Sequence, residues 1–174
     1  MNYIPPLAVS FVWNGADEIY VKNILDKIHN QLSRSADNPF SRGLDVPIFC
    51  YRSEDDDNAP LSKPTNKAET NLIIAFTSIN TASSLHWRNY LKNIQSQPGF
   101  KLIGISLDLE GLSHASDLNG YNFIRAFEWS GEKKSLHATL SVLHEIYRFG
   151  FNWPDSNGLG QDSSINFFKS CKNR

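Results

Sequence analysis

Several side chains in this chain are of types that do chemistry, and each follows or interrupts an apolar run. Asp108 and Glu110 follow Lys101-Leu-Ile-Gly-Ile-Ser-Leu107 and are candidate acids. Carboxylate chemistry needs an acid tuned by burial or by a neighbouring charge. Arg52 and Ser53 close the run Val46-Pro-Ile-Phe-Cys-Tyr51. A planar guanidinium there suits a phosphate or pyrophosphate, and a salt bridge to the acidic run Glu54-Asp55-Asp56-Asp57 is the alternative. Phe11 and Trp13 alternate with Val12 at the end of Leu7–Trp13. One of them stacks on a planar ring of a ligand, or both are buried aromatics. Glu54–Asp57 lacks the glycine and distal glutamate of a calcium loop and reads as a solvated loop. His137 and His144 stand seven apart, where helical metal ligands are more often four apart, so no metal site is expected. Cys50 reads as a buried thiol and Arg42 as a residue ordering the loop before the second run. The chain contains no Walker, G-x-G-x-x-G or G-x-S-x-G element.

The elements that must hold these residues alternate in type. Apolar runs at 7–13, 46–51, 71–77, 101–107 and 121–127 read as strands. Between them, Val21, Ile24, Leu25, Ile28 and Leu32 fall on one helix face, with Asp17 and Glu18 in its first turn. Trp87, Tyr90, Leu91 and Ile94 stripe a second helix capped by Ser83 or Ser84. Leu136, Leu140, Leu143 and Tyr147 stripe a last one that Ser135 caps. Arg52 to Ala68 reads as a long loop, functional or mobile. Strands alternating with helices predict a parallel, doubly wound α/β sheet with its ligand mouth at the carboxyl ends of the strands. Trp13, Arg52 and Asp108 would share that mouth.

The 174 residues suit one ordinary domain, with 40% hydrophobic, 20% charged and 12% aromatic residues and a net charge of −1. The longest basic run is Lys133-Lys134, which argues against nucleic acid as a partner. No leader and no bilayer-length apolar run is evident, so a cytoplasmic protein without a membrane partner is expected.

Four features resemble bacterial Toll/interleukin receptor (TIR) domains over roughly residues 7 to 150. Ser10-Phe-Val-Trp13 precedes a helix opening with Asp17-Glu18. Ser41-Arg-Gly-Leu44 leads into Val46-Pro-Ile-Phe49 and ends in Tyr51-Arg-Ser53. A long loop follows in the place of that family's BB loop, and the third strand leads into a helix carrying Trp87. The resemblance implies a flavodoxin-like five-stranded parallel sheet over 1–152, a linker over 153–164 and a tail over 165–174. Ile165-Asn-Phe-Phe-Lys-Ser170 resembles the first strand of a second TIR domain; a C-terminal strand or tail is the alternative. It implies either an assembly module or an NAD hydrolase/cyclase. The module would bind other TIR domains, homotypically or within one parent protein in antiphage defence or signalling. The enzyme would cleave the nicotinamide–ribose bond, with NAD as substrate or ligand and no resident cofactor. Enzymatic members carry a glutamate three or four residues after the tryptophan; here Trp87 is followed by Arg88, Asn89, Tyr90 and Leu91. The resemblance leaves Asp108 and Glu110 as substitute acids, Phe11, Trp13, Arg52, Ser53 and Asp108 as ligand contacts, and Glu54–Asp57 as the assembly loop.

Overall fold

The computed structural model describes residues 4–32, 46–54, 59–115, 123–128 and 131–150. Arg42, Asp55 to Asp57, Tyr121, Asn122, Cys171, the linker and the tail lie outside these residues, as do the side chains of Leu32 and Tyr147. Five strands form one sheet in the order β2-β1-β3-β4-β5. They are β1 (Leu7–Asn14), β2 (Ile48–Ser53), β3 (Thr70–Thr77), β4 (Phe100–Ser106) and β5 (Phe123–Arg125). Every neighbouring pair is parallel. This is a flavodoxin-like α/β fold, and its strand order reverses between β1 and β3.

β1 and β3 are apolar and buried nearly throughout because both of their faces are covered. Alternation along β1 sends Leu7, Val9, Phe11 and Trp13 to one face, where α1 (Glu18–Leu32) and α4 (Gly131–Gly150) cover them with Val21, Ile24, Ile28, Val142 and Ile146. Val12, Ile73 and Ala75 face the other side, under Trp87, Tyr90, Leu91 and Ile94 of α3 (Leu85–Gln95). Fully burying one such aliphatic side chain contributes about 1.5–3 kcal/mol. Ser84 caps α3 by accepting from the Trp87 amide at 3.3 Å.

Three expectations are corrected. α4 starts at Gly131, so Ser135 lies inside it; its hydroxyl accepts from Lys27 Nζ at 2.6 Å and ties α4 to α1. The buried stripe of α4 is Ala138, Val142 and Ile146, while Leu136 is 51% exposed. Small Ala138 lets the helix approach the sheet where the bulkier leucine would hold it away. Cys50 is exposed, because β2 is an edge strand with β1 on one side only.

The described part of the β2–β3 connection carries no helix, yet it is packed. Pro60, Pro64 and Ala68 are buried, Ala59 joins the α3 cluster, and Tyr90 Oη donates to the Ser62 carbonyl at 3.2 Å. Part of this segment therefore packs against the α3 cluster. Burial also drives the Tyr90 phenol well above its ordinary range, with Tyr51 nearby adding to it. At the other edge Gly104 pairs with Phe123, whose ring fills the space a Cβ would take, 2.5 Å away.

Candidate functional site

The carboxyl ends of β1, β3 and β4 carry a dense polar network. β1 ends at Asn14, whose side chain accepts from the Ala16 amide at 2.9 Å and starts a 3-10 turn through Asp17. Gly15 lets that turn pass under β2: its amide donates to Ser53 Oγ at 3.1 Å, and a Cβ there would lie 2.6 Å from the Ser53 carbonyl oxygen. The turn delivers Asp17 into the point where the strand order reverses, with 3% of its surface exposed.

Asp17 spans that point. Its Oδ2 accepts from Ser78 Oγ at 2.6 Å and its Oδ1 from Asn80 Nδ2 at 2.7 Å. Burial raises its carboxyl above the ordinary carboxylate range; the Ser78 and Asn80 hydrogen bonds oppose the rise and the Asp108 charge adds to it. Ser78 opens α2 (Ile79–Ala82) in a reciprocal cap with Thr81. The Thr81 carbonyl accepts from the buried His114 Nε2 at 3.0 Å, so that ring nitrogen carries a proton.

Asp108 clasps two backbones. Its Oδ2 accepts from the Ile79 amide and its Oδ1 from the Gly111 amide, each at 2.8 Å. Ser106 Oγ donates to the Asp108 carbonyl at 2.5 Å, and the Leu107 amide to the Thr77 carbonyl at 2.8 Å. The loop after β4 is thereby fastened onto the start of α2. Asp108 therefore caps the turn after β4. Glu110 opens the following 3-10 turn and is exposed.

No family model, curated protein or solved structure matches this chain.

Trp13, Arg52 and Asp108 do share the carboxyl end, but the three side chains have different surroundings. Trp13 is 7% exposed and belongs to the α1/α4 core, and Phe11 is fully buried with its ring 6.3 Å from that of Phe76. Both aromatics take the buried alternative. Arg52 pairs with Glu18 at 2.8 Å, half-exposed on both sides. Glu18 is thus its partner, a third outcome beside the phosphate and the Glu54–Asp57 run. Ser53 is buried beneath Gly15. Glu54 is exposed.

On α3, Trp87, Tyr90 and Leu91 point into the core, Arg88 donates to the Ala82 carbonyl at 3.4 Å, and Asn89 is exposed. α3 therefore brings no carboxylate to the mouth over 87–91. His144 pairs with Glu145 at 3.3 Å, and burial lowers the pKa of His137 against the opposing pull of Glu128. Among the described residues no group of His, Cys, Asp and Glu could hold a metal ion. No described helix is long and apolar enough to cross a membrane.

Sequence reasoning placed Asp17 only in a helix's first turn. The signal for its larger role was positional. In the order 2-1-3 the first β–α connection lies at the reversal point, so an acid a few residues past β1 faces the start of the helix after β3.

Proposed function

We propose that this chain is a TIR-like assembly module of a bacterial defence or signalling protein, binding other TIR domains, with an NAD-derived nucleotide as a possible ligand. The observation that carries the reading is how the acids at the carboxyl end are used. Asp17 and Asp108 accept hydrogen bonds from Ser78, Asn80, Ile79 and Gly111, and so hold loops together. The α3 turn where the resemblance implies a catalytic glutamate supplies Tyr90 and Leu91 to the core instead.

Exposed apolar side chains support a binding role. Ile19, Tyr20, Ile79 and Leu109 are 60% to 78% exposed, and all lie within three residues of the Asp17–Ser78–Asp108 network. Large apolar groups left exposed on a protein's surface are candidates for contact sites. Light scattering after size exclusion tests this directly. The chain should associate with itself or with a TIR domain of its parent protein as concentration rises, and Ile79→Glu with Leu109→Glu should shift it toward monomer. A chain that stays monomeric with every such partner loses this reading.

The second reading is NAD cleavage with Glu110 as the acid, favoured by its exposed position in the turn after β4. Nicotinamide release on incubation with NAD, lost in Glu110→Gln, would select it.

A further inference from the structure

We propose that Ile165-Asn-Phe-Phe-Lys-Ser170 adds a sixth strand to the sheet, parallel to β2 and on its outer side. β2 pairs with β1, and among the described residues no strand lies on its other side. Cys50 and Arg52 of β2 are exposed, where β1 is buried throughout. The Val9 amide donates to the Pro47 carbonyl at 2.9 Å, so the backbone of Pro47 faces β1. Successive residues of a strand turn their backbone groups to opposite sides. Phe49 and Tyr51 therefore also face β1, and the N–H and C=O groups of Ile48, Cys50 and Arg52 face outward. An edge of this kind is a template for one more strand.

Crossover handedness chooses this edge and this direction. α1 covers one face and carries the chain from β1 toward the β2 edge. α3 covers the other face and carries it from β3 toward the β5 edge. Right-handed crossovers require opposite faces to step in opposite directions. α4 follows β5 yet lies on the α1 face, packed on α1, β1 and β3. A parallel strand after α4 must therefore step toward β2. β4, β3 and β1 fill every place between, so the first open position is outside β2. Addition at the β5 edge would need a left-handed crossover. A crossover helix returns the chain to the end where the strands begin. Residues 151–164 can then span up to about 46 Å, against about 10 Å for the two strand spacings from β1 to a strand outside β2.

The segment suits the edge in kind. Alternation would send Ile165 and Phe167 to one face and Phe168 to the other. β2 offers apolar neighbours on both, with Ile48 packed on the α1 face and Tyr51 on the α3 face. Lys169 would stand on the new outermost strand, where a charge deters further pairing. The edge would then be closed by this chain itself, leaving Ile79 and Leu109 for assembly. That consequence rests on the reading above, whereas the strand itself does not.

Two NMR measurements on the full chain test the proposal, both at a dilution where light scattering finds monomer. The first places a spin label on Cys171 in Cys50→Ser protein. A parallel strand puts Cys171 past the carboxyl end of β2, so broadening should be strongest at Ser53 and Gly15, whose amide donates to Ser53 Oγ at 3.1 Å. Strongest broadening at Leu7 or Ile48, which marks an antiparallel strand, at β5, or nowhere in the sheet overturns the proposal. The second follows amide exchange, with Ile74 of buried β3 as the reference for global stability. The Ile48, Cys50 and Arg52 amides should exchange slowly in wild type. Relative to Ile74 they should exchange about tenfold or more faster in Phe167→Pro with Phe168→Pro, because each loses its outer hydrogen bond. Outward amides that exchange freely in wild type overturn the proposal. So do slow ones that the double variant leaves unchanged, which would give the edge to another part of the chain. Should the proline variant fail to fold, the label measurement decides alone.

Discussion

Gly111→Ala tests whether the loop after β4 is truly clasped onto β3. A Cβ on Gly111 would lie 2.5 Å from the Thr77 carbonyl oxygen and 2.7 Å from Ser106 Oγ. The Thr77 carbonyl belongs to a buried strand and already accepts the Leu107 amide at 2.8 Å, so it has little room to retreat. The loop must move, and its movement stretches the 2.8 Å bond from the Gly111 amide to Asp108. Overpacking costs about 1–3 kcal/mol, and a weakened hydrogen bond to a carboxylate up to about 1.5–3 kcal/mol. The two overlap, since moving the loop relieves one at the expense of the other. A net loss of about 2–4 kcal/mol follows, or about 4–16 °C in Tm for a chain of this size. Gly131→Ala is the control: no atom lies within 4 Å of a Cβ there, and only its φ of +59° resists the change. It should cost about 1–2 kcal/mol. Thermal unfolding followed by circular dichroism reads both. A Gly111→Ala protein as stable as wild type would refute the clasp.

Further substitutions separate the remaining claims, each read by denaturant or thermal unfolding. Ile146→Ala should cost about 2–5 kcal/mol, whereas exposed Leu136→Ala should stay within about 0.5 kcal/mol; the reverse ranking would restore the stripe expected from sequence. Arg52→Ala removes a half-exposed pair and should cost at most about 1 kcal/mol, a loss that shrinks further in high salt. Ser78→Ala deletes a donor to Asp17 and one member of the α2 cap and should cost about 1–3 kcal/mol at neutral pH. Because burial raises the Asp17 pKa, wild-type stability should decline as pH rises through that raised value, and Asp17→Asn should remove this part of the decline.

The strands were legible because parallel strands covered on both faces read as unbroken apolar runs, as Asn71–Thr77 does. α1 and α3 were legible because the apolar residues on their striped faces are ones they bury, Val21, Ile24 and Ile28 in α1 and Trp87, Tyr90, Leu91 and Ile94 in α3. α4 was not, because its buried stripe includes Ala138, a residue whose value lies in its smallness, while Leu136 faces solvent. The loop after β2 lacked apolar periodicity, yet Pro60, Pro64 and Ala68 bury without any, through fixed backbone shape and small size. Arg52 and Asp108 were placed at the correct end of the sheet, but their partners were not foreseeable. The bonds from Arg52 to Glu18 and from Asp108 to Ile79 and Gly111 depend on how close the loops approach one another. Asp17 required knowing that β1 and β3 are neighbours.

Nicotinamide release tests the central claim most directly, since that claim is that the acids at the carboxyl end hold loops and do not cleave a substrate. Wild-type protein is incubated with NAD at concentrations where it associates, beside Asp108→Asn and Glu110→Gln. The account predicts no release above the uncatalysed background for any of the three. Release by wild type that either substitution abolishes would contradict it.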